Sequence, residues 1–437
     1  MQHLKGVFGN VIKWLAPGME VKRWLLLGSI GLLVFSFGLF LLIDVRSAVT
    51  AELAIRDFLA EKMGIRLSSF WIDVIICSIG IYMVLFSQRR FLQSIYTVIV
   101  PNESKKLVEV IYEKRKLDMG LKIVAIGGGT GLSTLLKGLK EHTNNLTAVV
   151  TVSDDGGSSG RLRNDFGMLP PGDIRNCLVA LAKDESTLSS LFQYRFESGS
   201  GLEGHSFGNL FLAALNNIAG DDFKKAVKLS GDILSIRGKV YPATLEKTVL
   251  CAEMESGEII EGESSIPKHN GTIRRVFLKP EKCSPLPEVI HAIREANIIV
   301  LGPGSLYTSI LPNLKATGIT KEIKESHALK IYVCNIMTQS GETSSFKASD
   351  HLQALYDNSD DGLVDAVIVN TETPDDKEGK YKEEGAVFVT PDTEKLEKMG
   401  VEVIEAPLVG EIGEKIRHNP VLLADAIIKA AAKRNPG

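Results

Sequence analysis

Five stretches with the residue types that hold anions or hard cations each follow a proline turn or a short aliphatic run. The first, Gly127-Gly128-Gly129-Thr130-Gly131-Leu132, separates KIVAI from the helical LSTLLKGLK. Glycines at such a turn let the backbone approach a phosphate, whose charge the free amides and dipole of the helix start attract. It is not a P-loop, because no Gly-Lys-Ser/Thr closes it, and Leu132 replaces the third small residue of a dinucleotide fingerprint. The second stretch, Ser153-Asp154-Asp155-Gly156-Gly157-Ser158, ends LTAVVTV and precedes Arg161 and Arg163. Extended neighbours point to opposite faces, so one of Asp154 and Asp155 can face a metal or ribose while the other fixes the turn.

The third stretch is Pro170-Pro171-Gly172-Asp173-Ile174-Arg175-Asn176. Asp173 either caps the helix CLVALA or joins Asp154 or Asp155 in an oxygen site for magnesium beside a diphosphate. Arg175 either grips phosphate or offsets these acids. The fourth, Gly302-Pro303-Gly304-Ser305 after NIIVL, is a second glycine turn and predicts a second phosphate site, as a ligand with two phosphates, or two ligands meeting at the sheet, would need. The fifth is the polar loop Asn335 to Thr343, with Thr338 and Gln339, after KIYVC. His205, in Gly204-His205-Ser206-Phe207-Gly208-Asn209, reads as structural, since no Cys or Ser motif makes it the base of a nucleophile.

The elements that must position these residues form an α/β domain over 119–437. Short aliphatic runs alternate with helical stretches, which predicts βαβ units and a mostly parallel, doubly wound sheet. Ligands of such sheets bind outside the carboxyl ends of the strands, so the acids and the glycine turns are expected in one crevice. Short alternating strands over about 239–280, with the turn Asn270-Gly271, predict a β-rich insertion.

The N-terminal segment, 1–90, is of another kind. Trp24 to Ile43 carries no charge and is long enough to cross a membrane as a helix. It is too long and too bulky at its end for a cleaved signal peptide. A second span is expected over 67–86, where Asp73 beside Trp71 reads as interfacial. Lys5, Lys13, Lys22 and Arg23 precede the first span, and Arg46, Arg56, Lys62 and Arg66 lie between the two. Two spans put both termini on one side, which the phosphate-binding domain makes the cytoplasm. The linker 91–118 carries Lys105, Lys106, Lys114, Arg115 and Lys116, and reads as a basic helix lying on anionic lipid or exposed to water.

A formal net charge of −3 supplies no basic field for nucleic acid. Cys77, Cys177, Cys251, Cys283 and Cys334 lack CxxC spacing and read as free thiols in a reducing compartment.

Six segments in order, IGGGTGLSTLLKGLK, TVSDDGGSSGRLR, PPGDIRNCLVALA, GHSFGNLFLAAL, LGPGSLYTSILPNL and CNIMTQSGET, resemble the bacterial gluconeogenesis factor family, YvcK, from about Leu121 onward. That family is related to the phospholactate transferases (CofD) that build a deazaflavin coenzyme. The resemblance implies a Rossmann-like fold, binding of a UDP-sugar such as UDP-N-acetylglucosamine or UDP-glucose, and a role in cell shape and envelope synthesis on gluconeogenic carbon. By motif it implies ligand contacts at Gly127, Gly128, Gly129, Thr130, Gly131, Leu132, Asn209, Gly302, Gly304, Ser305, Asn335, Thr338 and Gln339. Asp154, Asp155, Gly156, Ser158, Arg175 and Asn176 join them from the acidic and proline motifs. Asp154, Asp155 and Asp173 match the transferases' magnesium positions. The continuations GGSSGRLR and PPGDIRN are of the gluconeogenesis-factor type, which favours a regulatory binder over a transferase. No redox cofactor is expected. Envelope-synthesis proteins and a second copy of the chain are the expected protein partners.

Overall fold

The computed structural model describes residues 22–43, 69–99, 107–183, 187–269, 271–373, 386–412 and 415–434, together with Leu53 and Glu61. The remaining parts of the expected spans, inter-span loop and linker lie outside the described residues, as do Lys105, Lys106 and Asn270. The chain divides into two compact units, Met1–Tyr112 and Glu113–Gly437.

In the first unit two helices pack against each other, α1 (Lys22–Leu42) and α2 (Ser69–Ile99). Each has a stretch long and apolar enough to cross a membrane. Small residues let them close: a Cβ on Gly31 would collide with Met83, and one on Gly80 with the Phe35 backbone. Asp73, expected at an interface, is buried. Helix α2 runs well beyond the expected span end. FLQSIYTVI after Arg90 contains no glycine or proline, and Pro101 is the first residue that cannot continue a helix. A further helix, α3 (Leu107–Asp118), leads into the second unit.

The second unit is built on one parallel sheet. Its strands are β1 (Ile123–Gly127), β2 (Leu146–Val150), β3 (Lys239–Pro242), β7 (Ile298–Leu301), β8 (Leu329–Val333), β9 (Ala366–Asn370) and β10 (Glu402–Ala406), in the order β10-β9-β8-β7-β1-β2-β3. Every pairing in it is parallel. Alternate residues of β1 enter different cores: Ile123 and Ala125 join Leu135, Leu139 and Leu178 on one face, Val124 and Ile126 join Leu306, Ile310 and Leu355 on the other. Burial on both faces is why these strands read as unbroken aliphatic runs.

Helix α4 (Gly129–Leu139) buries Leu132, Leu135, Leu136 and Leu139, a spacing that puts all four on one stripe. Helices α5 (Gly157–Phe166), α6 (Gly172–Leu181) and α7 (Phe207–Ile218) follow between β2 and β3. Strand β3 falls inside the expected insertion but pairs with β2 as the edge of the main sheet. The separate antiparallel sheet begins after it, with β4 (Val249–Met254), β5 (Ile259–Glu261) and β6 (Ile273–Lys279). A hairpin, β11 (Val409–Ile412) and β12 (Lys415–His418), precedes the last helix, α8 (Pro420–Arg434).

Candidate functional site

The chain builds outward from β1 in two directions, to β2 and β3 on one side and to β7 through β10 on the other. Between β1 and β7 the turns after neighbouring strands diverge and leave a crevice, where ligands of open α/β sheets bind. Both glycine turns lie there. A cavity of about 540 Å³ is lined by Gly128 to Gly131, by Pro303 to Ser305, and by Asn335 to Ser340 after β8. Thr134, Thr308, Ser309, Glu342 and Ala386, Glu263 and Pro267 of the insertion, and Ile416, Arg417 and His418 of β12 complete its wall.

The turns approach each other so closely that a Cβ on Gly131 would overlap the Pro303 carbonyl. Gly302 has a φ of 80°, which disfavours a side chain. Asn313, fully buried, ties the turns together, its amide donating to the carbonyls of Gly127 (3.0 Å) and Ser309 (2.7 Å). At the first turn Gly128 caps α4 without a side-chain partner. The Gly129 amide is held by the Asp173 carboxylate. Thr130 and Gly131, whose amides as first-turn groups lack an intrahelical acceptor, line the cavity.

The second turn differs. Ser305 caps the following turn by accepting from the Thr308 amide at 3.1 Å. Its hydroxyl donates to the Glu342 carboxylate, and the Thr308 hydroxyl donates to Ser305 Oγ at 2.7 Å with Glu342 Oε1 3.3 Å away. The backbone amides of Tyr307 and Thr308 hold the same group. Burial pushes the Glu342 carboxyl above its ordinary value, against the pull of these hydrogen bonds. His418 donates from Nε2 to the Cys334 carbonyl at 3.2 Å, and burial pulls its imidazole down to about 4, so it is neutral at pH 7.

The cavity thus gathers Gly128, Gly129, Thr130, Gly131, Gly304, Ser305, Asn335, Thr338 and Gln339 from the residues the sequence suggested. Leu132 is not among them, because its side chain is wholly buried in the core under α4. Gly127 and Gly302 lie just behind the wall, at the strand ends that support it. Ser158, Arg175, Asn176 and Asn209 form a network of their own. The Asn209 amide and His205 Nδ1 meet the Ser158 hydroxyl at 3.0 and 2.9 Å, and Arg175 donates to Ser206, Asn209 and Asn176. This network joins α5, α6 and α7 through the part-buried Arg175.

The acids do not share the crevice in the expected way. Asp154 Oδ1 accepts from the Gly156 amide at 2.9 Å, bending its own turn, while Asp155 Oδ1 reaches the Ser264 amide of the insertion at 2.9 Å. Pro171, not Asp173, is the N-cap of α6, and Asp173 reaches across to Gly129. Its carboxyl is pushed up to about 6 by burial, with Asp154 adding to the shift. Among the described residues no three His, Cys, Asp or Glu side chains are placed to hold a metal ion. Each of the three carboxylates is engaged with a different amide.

Glu263, Glu342, Arg417 and His418 escaped the sequence reading. Glu342 was within reach, as the acid of the polar loop after KIYVC. Glu263 comes from the insertion, where burial pushes its carboxyl up to about 8 with Asp154, Asp173, Asp155 and Glu342 adding to the effect. Arg417 and His418 belong to a four-residue strand too short to leave a pattern.

A doubly wound α/β protein with a crevice at its switch point is the class that this geometry defines. The family model for 2-phospho-L-lactate transferase CofD matches residues 123–409. The gluconeogenesis factor of Halalkalibacterium halodurans is 51% identical over 308 residues, covering 70% of this chain and 95% of its own. That of Bacillus subtilis is 50% identical over 308 residues, 70% of this chain and 97% of its own. A Nostoc sp. relative, provisionally named a gluconeogenesis factor, is 45% identical over 420 residues, covering 95% of this chain and 92% of its own. So little of this chain is left outside that alignment that it takes in the two apolar helices. A crystal structure of a Bacillus halodurans protein matches with a TM-score of 0.69 at 50% identity, over 71% of this chain and 99% of that one. This chain belongs to the gluconeogenesis factor (YvcK) family of CofD-like proteins.

Proposed function

We propose that the chain is a membrane-tethered regulatory protein that binds a UDP-sugar and acts in cell shape and envelope synthesis during growth on gluconeogenic carbon, with envelope-synthesis proteins as its partners. The observation that carries the binding part is the cavity at the β1/β7 switch point, about 540 Å³ and lined by the two glycine turns, by neutral polar side chains and by Glu263, Glu342 and Arg417. That volume is of the size that small-molecule sites have. The first turn offers amides to a diphosphate, and Asn335, Thr338 and Gln339 offer hydrogen bonds to neutral polar groups.

The tethering part rests on α1 and α2, each about 30 Å or more long at 1.5 Å per residue. Residues 1–23 hold four Lys or Arg against one acid, and 87–118 hold seven against four, whereas 44–68 hold four of each. That asymmetry favours both flanks, and the α/β domain with them, on the cytoplasmic side.

Calorimetric titration of the full chain in detergent micelles with UDP-N-acetylglucosamine, UDP-glucose, GDP and NAD, with and without magnesium, tests the reading. Saturable binding of a UDP-sugar recovered intact is expected. A consumed ligand, or GDP binding that needs magnesium, would replace it with the alternative of a transferase of phosphorus-containing groups.

A further inference from the structure

The second glycine turn carries its own anion. Groups that would otherwise receive a ligand phosphate there converge on one side chain: the Ser305 hydroxyl and the amides of Tyr307 and Thr308 address Glu342, and the Thr308 hydroxyl donates to Ser305 Oγ at 2.7 Å with Glu342 Oε1 3.3 Å away. Glu342 is only 9% exposed and still reaches the cavity wall. A second phosphate cannot use donors already committed to a carboxylate, and it would meet like charge in a poorly hydrated place. A carboxylate in a nucleotide site does suit hydroxyl groups, which donate to its remaining lone pairs, as an acid at the end of a Rossmann strand does for a ribose.

We propose that Glu342 fills the second turn as a built-in carboxylate and makes that side of the cavity a hydroxyl-binding subsite, which takes the sugar of a nucleotide sugar while the first turn takes its diphosphate. The ligand then lies across the switch point, with its phosphates at Thr130 and Gly131 and its hexose hydroxyls against Glu342. The subsite rests on the nucleotide-sugar reading above, and it makes the second turn a determinant of specificity where the sequence suggested a second phosphate cradle.

The test compares UDP with UDP-N-acetylglucosamine and UDP-glucose on the full chain in micelles. Glu342→Gln keeps the shape and removes the charge that strengthens hydrogen bonds from hydroxyls. The variant should bind UDP as the parent does but lose about tenfold in affinity for the UDP-sugars, the size expected when one hydrogen bond to a charged group is lost. Ser305→Ala, which releases one oxygen of the carboxylate, should give a smaller loss confined to the UDP-sugars, and melting curves report whether each variant is folded. Tighter binding of UDP and UDP-sugar alike in Glu342→Gln would mean that the carboxylate merely repels phosphate. An equal loss of both in folded protein would make it a general support of the turn. Either overturns the subsite and leaves the nucleotide-sugar reading standing. A parent chain that binds neither ligand overturns both.

Discussion

The two glycine turns occupy equivalent places, each after a buried parallel strand and each beside the switch point, yet they are finished differently. At the first, Asp173 takes the Gly129 amide, and Thr130 and Gly131 line the cavity. At the second, Ser305 and Glu342 together engage the donors of the turn. A strand-turn-helix motif makes an anion site only if the rest of the fold leaves its amides unfilled. Two motifs that read alike are thereby finished differently, one starting its helix without a side-chain cap and one closed by a carboxylate.

The largest expected effect comes from forcing the turns apart. Gly131→Val places a branched side chain against the Pro303 carbonyl, and overpacking of this kind costs about 3 kcal/mol. UDP-N-acetylglucosamine binding should fall at least about a hundredfold, since a displaced turn loses more than one contact at once. Thermal melting and calorimetry would show both, and unchanged binding would mean that the turns work separately.

A smaller effect concerns the wall between the turns and β12. His418 is held neutral by burial, with its imidazole down at about 4 against an ordinary 6.5. Its folded-state value is depressed, so the unfolded chain binds more protons between about 4 and 6.5. Stability is therefore lost as pH falls through that window, with an upper bound of about 3 kcal/mol from this group. His418→Gln should flatten the corresponding part of the melting-temperature profile, and a profile as steep as the parent's would show that the histidine is not the titrating group.

The smallest effect tests whether the first turn works through its backbone. Thr130→Ala keeps the amide, so affinity for UDP-N-acetylglucosamine should change by less than about threefold. A tenfold loss would assign the binding to the hydroxyl and weaken the contrast between the turns.

Much of the fold was legible in the chain because its signals are local. The aliphatic runs of β1, β2, β7, β8 and β9 announce strands buried on both faces. Leu132, Leu135, Leu136 and Leu139 announce a helix with one buried stripe. The same periodicity shows that Leu132 faces the core, although its place in a glycine motif had suggested a ligand contact. The start of the insertion was misplaced because KVYP is an edge strand of four residues, and its membership in the main sheet is a pairing with β2 that no local pattern records.

The sequence by itself determined that this is an α/β domain carrying two glycine turns and preceded by two apolar helices, because propensity, burial period and apolar length are properties of neighbouring residues. Only the tertiary structure decided which polar residues share the cavity. It joined Ser158, Arg175 and Asn209 in one hydrogen-bond network, sent Asp154 and Asp155 to different amides, and brought Glu342 to Ser305, 37 positions away. The physical reason is that a hydrogen bond is made between groups brought together by strand order. Each donor has few partners within reach, and the first buried acceptor to arrive removes it from those available to a ligand.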